Sequence, residues 1–335
     1  MTTPLGPRVV VLSGGVGGAR FLRGVREELR RRFPDGAIGT TAKLTAIVNT
    51  GDDMWLAGLR ITPDLDSIMY TLAGANDEQR GWGRVGETER VAAELAEYGV
   101  GWPWFTLGDL DLGTHIARSS MLREGLTLTQ ATARIAERWS IDTALLPVTD
   151  DEVETYVSTN DGPDLHFQEW WTRYRAKVDA TAFVQRGVAE SRPAPGVEAA
   201  ISSADVILIA PSNPVVSIGT VLGIPGIREA LSAARAPIVG VSPIIGGSVV
   251  RGMADACLTA IGVETSARAV AEHYGTRRGG GLLDGWLVDD VDAAAAAPLT
   301  TLGITTEAVP LWMTDLDSSA ALAGAALELA ARLRP

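Results

Sequence analysis

One cysteine, Cys257, stands among 335 residues, with only three histidines, His115, His166 and His273. A single thiol excludes an intramolecular disulfide. The histidines lie far apart, none with a partner at metal-ligand spacing, which argues against a His/Cys zinc site. No apolar run approaches the ~18 residues of a membrane span. The stretch "MTTPLGPR" lacks the charged start and long apolar run of a leader. No membrane partner is therefore expected, and cytoplasm is the expected location. Basic residues are scarce too: 29 Lys and Arg against 41 Asp and Glu give a net charge of −12. The positive footprint of a nucleic-acid-binding protein is missing. No Ser-His-Asp order stands out, and Cys257 in "MADACLTAIG" reads as a small buried apolar residue.

What is present is a strand–turn–helix at the start. "VVVLSGGVGGARFLRGV" runs from an apolar strand through glycines into a helical pattern, with Phe21, Leu22, Val25 and Leu29 at helical spacing. Glycines at a helix start let backbone amides approach an anion. Gly14, Gly15, Val16, Gly17 and Gly18 are the candidate phosphate cradle, with Arg20 one turn on. The loop fits neither common fingerprint. Arg20 falls where a dinucleotide motif has its third glycine, and no Gly-Lys-Ser/Thr follows. The run Arg30–Arg32 reads as a solvated last helical turn.

Further strands are predicted in "LTAIVNTGDD", "ADVILIAPSNP" and "APIVGVSPIIGG", with shorter ones in "GWLVDD" and "AVPLWMTD". Helices fill the gaps and "SSAALAGAALELAARL" is the last. From about residue 60 to 140 the pattern is mainly helical; a small β-rich stretch follows, in "TYVST", "LHFQEWW" and "ATAFVQRGV". Alternation of this kind predicts one α/β domain over residues 1–335: a doubly wound, largely parallel, Rossmann-like sheet with a helical and a β-rich segment inserted.

In such sheets ligands bind beyond the carboxyl ends of the strands. Four stretches converge there. The glycine loop is one. "NTGDDMW" is another: Asn49 and Thr50 end a strand, and Asp52 and Asp53 suit a divalent cation or a substrate hydroxyl. Asp64 in "PDLD" is a further site candidate and Asp66 a helix-start acid; Trp55 could stack on a planar ring. Ser212, Asn213 and Ser217 in "APSNPVVSIG" offer hydroxyls and an amide at a helix start, where Asn213 could equally act as a cap. Gly246 in "SPIIGG" completes the set. His115 in "THIARSSML" reads as packed. These residues suit transfer or hydrolysis at a phosphate, and suit hydride transfer less well.

The stretches "SGGVGGARF", "NTGDDMWLAGLRITPDLDSIMYTLAG", "LGDLDLGTHIARSSMLREG", "HFQEWW", "APSNPVVSIGTVLGIPGIREAL", "PIVGVSPIIGG" and "RGMADACL" together resemble the 2-phospho-L-lactate transferase family of coenzyme F420 biosynthesis, most closely its actinobacterial, phosphoenolpyruvyl-transferring branch. The resemblance implies a donor, enolpyruvyl- or lactyl-diphospho-5′-guanosine. It implies an acceptor, the deazaflavin Fo (7,8-didemethyl-8-hydroxy-5-deazariboflavin), whose ribityl hydroxyl attacks the β-phosphorus. The products are (dehydro) coenzyme F420-0 and GMP. Mg²⁺ is the implied cofactor and a homodimer the implied assembly. On this footing Asp53, Arg90, Trp55 and Asp64 are the expected Fo contacts, with Arg84 competing with Arg90. The glycine loop (residues 14–18), Arg20, Asn49, Thr50, Ser212, Asn213, Ser217 and Gly246 are expected to hold the donor's phosphates and guanosine. Asp52 or Asp64 serves the metal, and the catalytic acids are Asp53 and Asp52. The alternative is a nucleotide-sugar-binding regulatory protein of the same fold family.

Overall fold

A computed structural model describes residues 5–160 and 162–334. Seven strands form one sheet: β1 (Arg8–Ser13), β2 (Lys43–Val48), β3 (Thr143–Pro147), β4 (Val206–Ile209), β5 (Ile238–Val241), β6 (Gly285–Val288) and β7 (Thr305–Ala308). Their order is β3-β2-β1-β4-β5-β6-β7 and every pairing is parallel. β1 is central: Val10 sits opposite Thr45 on one side and Ile207 on the other. The chain order reverses between β1 and β4, which opens a crevice at their carboxyl ends.

Both faces of the sheet are apolar, because successive side chains alternate. Val10, Leu12, Ile47, Ile207 and Ile209 point into one core. Val9, Val11, Ala46, Val48 and Leu208 point into the other. The second face is covered by α1 (Gly15–Arg32), α2 (Pro63–Ala73) and the C-terminal helix Leu316–Leu333. α1 and the C-terminal helix approach closely at Gly24, where a Cβ would overlap the carbonyl of Ser319.

The insertions hang on the β2–β3 and β3–β4 connections. The first carries a hairpin (Met54–Leu56 with Leu59–Ile61), then α2, Arg90–Glu97, α3 (Asp109–Arg123) and Leu128–Glu137. The second is a three-stranded antiparallel sheet with Glu154–Thr159 at its centre.

Several local expectations need correction. α1 begins at Gly15 rather than after the glycines. β3 comes from "TALLP", which the sequence pattern does not single out; it is a short edge strand that ends in proline and is only partly buried. "EWW" is a π-helical turn, Glu169–Arg173, in which the buried Trp170 donates to the Val178 carbonyl at 2.8 Å. "PLWMTD" is a loop after β7, and the strand lies earlier, in "TTEA". The Arg30–Arg32 run is ion-paired: Arg30 to Asp142, Arg31 to Glu27 and Asp317, and Arg32 to Glu28 and Glu328.

His166, in the small antiparallel sheet, is 7 % exposed and packs against Trp102 and Tyr156. Its Nδ1 accepts from the backbone N–H of Gln168 at 3.1 Å. Burial, helped by the Arg60 charge, lowers its pKa to about 4. The folded state therefore holds this ring neutral while the unfolded chain takes up a proton below about pH 6.5. Stability contributed by the neutral ring is complete above that pH and is lost as pH falls toward 4. Urea unfolding should show a loss of about 2 kcal/mol from this group between pH 6.5 and 4.5. His166→Asn, which keeps an acceptor for Gln168, should flatten that part of the profile.

Candidate active site

A cavity of about 920 Å³ opens at the carboxyl ends of the strands. Its walls come from the turn into α1, the loop after β2, the start of α2, the exits of β4, β5 and β7, and aromatic loops of the insertions.

The glycine turn is held from across the crevice. The Gly14 N–H donates to Ser212 Oγ at 3.0 Å, and that hydroxyl donates back to the Gly14 carbonyl at 2.7 Å. Gly15 is left-handed, φ +62°, a conformation that favours glycine. A Cβ on Gly17 would lie 2.8 Å from the Pro211 carbonyl oxygen, and one on Gly18 would overlap Ser13 Oγ. These two glycines therefore let the exits of β1 and β4 touch, whatever else they do for a ligand. The cradle is narrower than the sequence suggests: the Gly14 amide is committed to Ser212 and the Gly15 amide to Asp64. Val16 and Gly17 are left with first-turn amides that have no partner within the helix. Gly14, Gly15, Val16, Gly17 and Arg20 line the cavity; Gly18 lies behind them.

The acids divide. Asp52 and Asp64 line the cavity. Asp64 Oδ2 accepts from Asn49 Nδ2 at 2.9 Å, and Asn49 Oδ1 accepts from the Gly51 N–H at 2.9 Å. Burial pushes the Asp64 carboxyl up to about 6. Burial, and then the Asp64 charge, push Asp52 well above its ordinary value. Asp52 Oδ1 is buried with no hydrogen-bond partner among the described residues. Asp53 turns the other way, is fully buried and does not line the cavity. Its carboxylate is 3.6 Å from Arg60, and burial raises its pKa against the pull of Arg60 and Arg118.

Ser212, Asn213 and Ser217 line the opposite wall. Asn213 is a cap: its Oδ1 accepts from Val215 and Val216 at 2.9 and 3.2 Å, and its Nδ2 rests against Cys257 Sγ. Burial pushes the Cys257 thiol up to about 12, so it stays protonated.

Other expected contacts stand away from the cavity. Arg90 is exposed at the start of its helix. Arg84 is buried, donates to the Leu110 carbonyl at 3.0 Å and lies over the Trp139 ring. Trp55 donates to Glu152 at 2.7 Å on the outer surface. Thr50 is buried behind Asp52. The Gly246 amide is tied to Asp292, and its neighbour Ile245 reaches the cavity instead.

The sequence reading passes over a buried network on the cavity floor. Asp66, Tyr70, Asp111 and His115 line it, and Arg118 lies beneath, ion-paired to Asp66. Asp111, His115 and Arg118 fall at i, i+4 and i+7 on α3, a one-face spacing that could have revealed them. The Tyr70 hydroxyl donates to Asp111 at 2.7 Å. Burial pushes Asp111 up, but His115, Tyr70 and Arg118 outweigh it and hold the carboxyl below its ordinary value. Ligand atoms of Asp66, Asp111 and His115 lie within 4.8 Å of one another. They do not suit a cation. Arg118 can only donate, so His115 Nδ1 accepts from it at 3.1 Å, and Nε2 carries the proton toward Asp111, 3.3 Å away. The aromatic wall, Trp82, Trp104, Phe105, Phe167, Trp171 and Trp312, is also new.

Removing Arg118 leaves Asp66 an unpaired buried charge. Arg118→Met should cost about 3–5 kcal/mol in urea unfolding at neutral pH. Adding Asp66→Asn should recover much of that loss.

The family model for 2-phospho-L-lactate transferase CofD matches residues 9–306. A phosphoenolpyruvate transferase of Thermobifida fusca (strain YX) is 54% identical over 330 residues, covering 98% of this chain and 99% of the relative. One of Mycobacterium avium (strain 104) is 52% identical over 338 residues, covering 96% and 98%. Among solved structures, a UPF0052-family protein of Bacillus halodurans superposes with a TM-score of 0.61 at 20% identity, covering 97% of this chain and all of that one; it supports the fold alone. Over nearly its whole length, then, the chain belongs to the 2-phospho-L-lactate transferase CofD family and is a transferase enzyme of that family.

Proposed function

We propose that the cavity moves a phosphoenolpyruvyl group, or its phospholactyl counterpart, from a guanosine diphosphate-linked donor to the ribityl hydroxyl of Fo. Relatives with over half their residues in common bear the name phosphoenolpyruvate transferase. The observation that carries the reading is the pairing of two functions in one crevice. A glycine helix start stands beside two buried carboxylates, Asp52 and Asp64, with an aromatic wall beyond.

The hydroxyl oxygen forms a bond to the β-phosphorus, the bond from the β-phosphorus to the bridging oxygen breaks, GMP departs with that oxygen, and the hydroxyl proton is released. Such a transfer needs alignment and charge balance more than a covalent nucleophile, which suits a cavity without a reactive Ser or Cys. Val16 and Gly17 amides would hold donor phosphate. Trp82, Trp104 and Trp171 would enclose the deazaflavin ring and exclude water. Asp53 holds Arg60 behind the wall and positions the loop that carries Asp52. Asp52 and Asp64 fit Mg²⁺: both are oxygen donors, they repel each other when charged, and Asp52 Oδ1 lacks a partner. Bound there, the ion would offset the charge of the diphosphate.

The test is turnover with Fo, Mg²⁺ and each guanosine donor, the product identified by mass and Fo binding followed by its fluorescence. Product should form with at least one donor, chelation should abolish it, and Mg²⁺ should restore it. Asp52→Asn should reduce kcat by about 10²–10³-fold, the scale of losing one charge-stabilising group. No product and no fluorescence change with Fo would favour the nucleotide-sugar-binding regulatory alternative.

A further inference from the structure

Acids crowd the cavity floor, yet its wall carries two cations, Arg20 and Arg251. Both also border the small recess beside it, with Gly81 and Trp82, so the two guanidinium groups share one corner. Among the described residues neither has an ion pair or a hydrogen-bonded side-chain partner. The acid in that recess, Glu78, is hydrogen-bonded to Arg23 at 2.7 Å and feels the Arg20 charge only from a distance, as the weakest of its electrostatic influences. Partial burial, and then the nearby Arg20 charge, push Arg251 below the ordinary arginine value. The backbone makes room for this arrangement. Gly81 has φ +81°, and a Cβ there would overlap Arg251 Nη2, so the guanidinium can lie directly against the chain.

Other arginines around the cavity are matched: Arg23 to Glu78, Arg60 to Asp53, Arg118 to Asp66. Two adjacent unmatched guanidinium groups, in a chain of net charge −12, point to an anion that arrives with the ligand. Its place in the donor follows from the helix. Arg20 lies three residues beyond Gly17, about 4.5 Å along the axis of α1. A group held at Arg20 is therefore adjacent to a phosphate at the cradle, yet distinct from it. In the guanosine donor, the carboxylate of the three-carbon acid sits on the carbon that bears the β-phosphate ester oxygen.

We propose that Arg20 and Arg251 form a two-guanidinium subsite for that carboxylate, and that this corner separates acid-bearing donor from plain GDP. The inference rests on the donor class proposed above and deepens it. Arg251 joins the binding residues from "RGMADACL", a stretch otherwise without a role.

The test is tryptophan-fluorescence titration of the full chain with GDP and with lactyl-diphospho-5′-guanosine, for wild type, Arg20→Gln and Arg251→Gln. Melting curves check that each variant folds. GDP affinity should stay within about twofold, while affinity for the acid-bearing donor falls roughly 10- to 100-fold. In turnover the loss should appear in KM for donor rather than in kcat, and Arg251→Lys should recover part of it. Equal weakening of GDP and donor would assign the corner to phosphate and overturn the carboxylate. Unchanged affinity for both would overturn the subsite altogether. A folded wild type that binds neither nucleotide would overturn the donor class itself, a result distinct from either. Should Arg20→Gln fail to fold, Arg251→Gln, on an exposed loop, decides the matter alone.

Discussion

The site depends on one hydroxyl. Ser212 Oγ accepts from the Gly14 amide and donates to the Gly14 carbonyl, and so ties the exit of β4 to the exit of β1. Those strands are neighbours in the sheet but lie nearly two hundred residues apart in the chain. The tie stands at the reversal of strand order, where the crevice would otherwise be free to splay. Gly17 and Gly18 complete it by allowing backbone and hydroxyl of the two loops to meet without a side chain between them. A polar clamp of this kind is worth most when buried, since each of its groups would be costly to leave unpaired. Asp64 extends the clamp, because it takes the Gly15 amide on one side and Asn49 on the other.

Charge is arranged in layers around that clamp. Asp53–Arg60 lies behind the wall and Asp66–Arg118 at the floor itself, both as compensated pairs. In front of them, Asp52 and Asp64 have no arginine and carry raised proton affinity through burial. The cavity therefore meets both kinds of acid: Asp66, already matched by Arg118, and Asp52 and Asp64, matched by no arginine. Buried acids without a matching cation, set in a cleft, are what marks a candidate functional site.

Much of this was legible in the chain. β1, β2, β4 and β5 are long apolar runs that end in small polar residues, and each lies close to its predicted place. Asp52, Asp64, Ser212, Asn213 and Ser217 reach the cavity because each follows a strand or opens a helix beside it. What was hidden has a common cause. β3 is a short edge strand whose apolar run ends in Pro147, a residue that speaks against a strand in the sequence. The network of Asp66, Asp111, His115 and Arg118 joins α2 to α3 through tertiary contact: spacing puts the three α3 residues on one face, but nothing in it says that Asp66 of α2 meets them. The Asp52–Asp53 pair shows the limit most sharply. Adjacent positions diverge, but which acid faces the cavity goes with the Asp53–Arg60 pair, on a hairpin that periodicity does not fix. Arg90 and Trp55 lie near the site in sequence and outside it in space for the same reason.

The packing of α1 against the C-terminal helix bears on how the protein is made. α1 carries the glycine turn, yet the surface that receives it is built from residues 316–333, joined at Gly24 and Ser319. β1, to which it is attached, waits on β4 for its second neighbour. During synthesis the first strand–helix unit therefore emerges with its partners still unmade, its apolar faces open to water. Contacts this distant in sequence slow folding and lengthen the interval in which aggregation competes. The segment that forms the glycine turn leaves the ribosome well before β4 and the C-terminal helix, and completes its packing only after them.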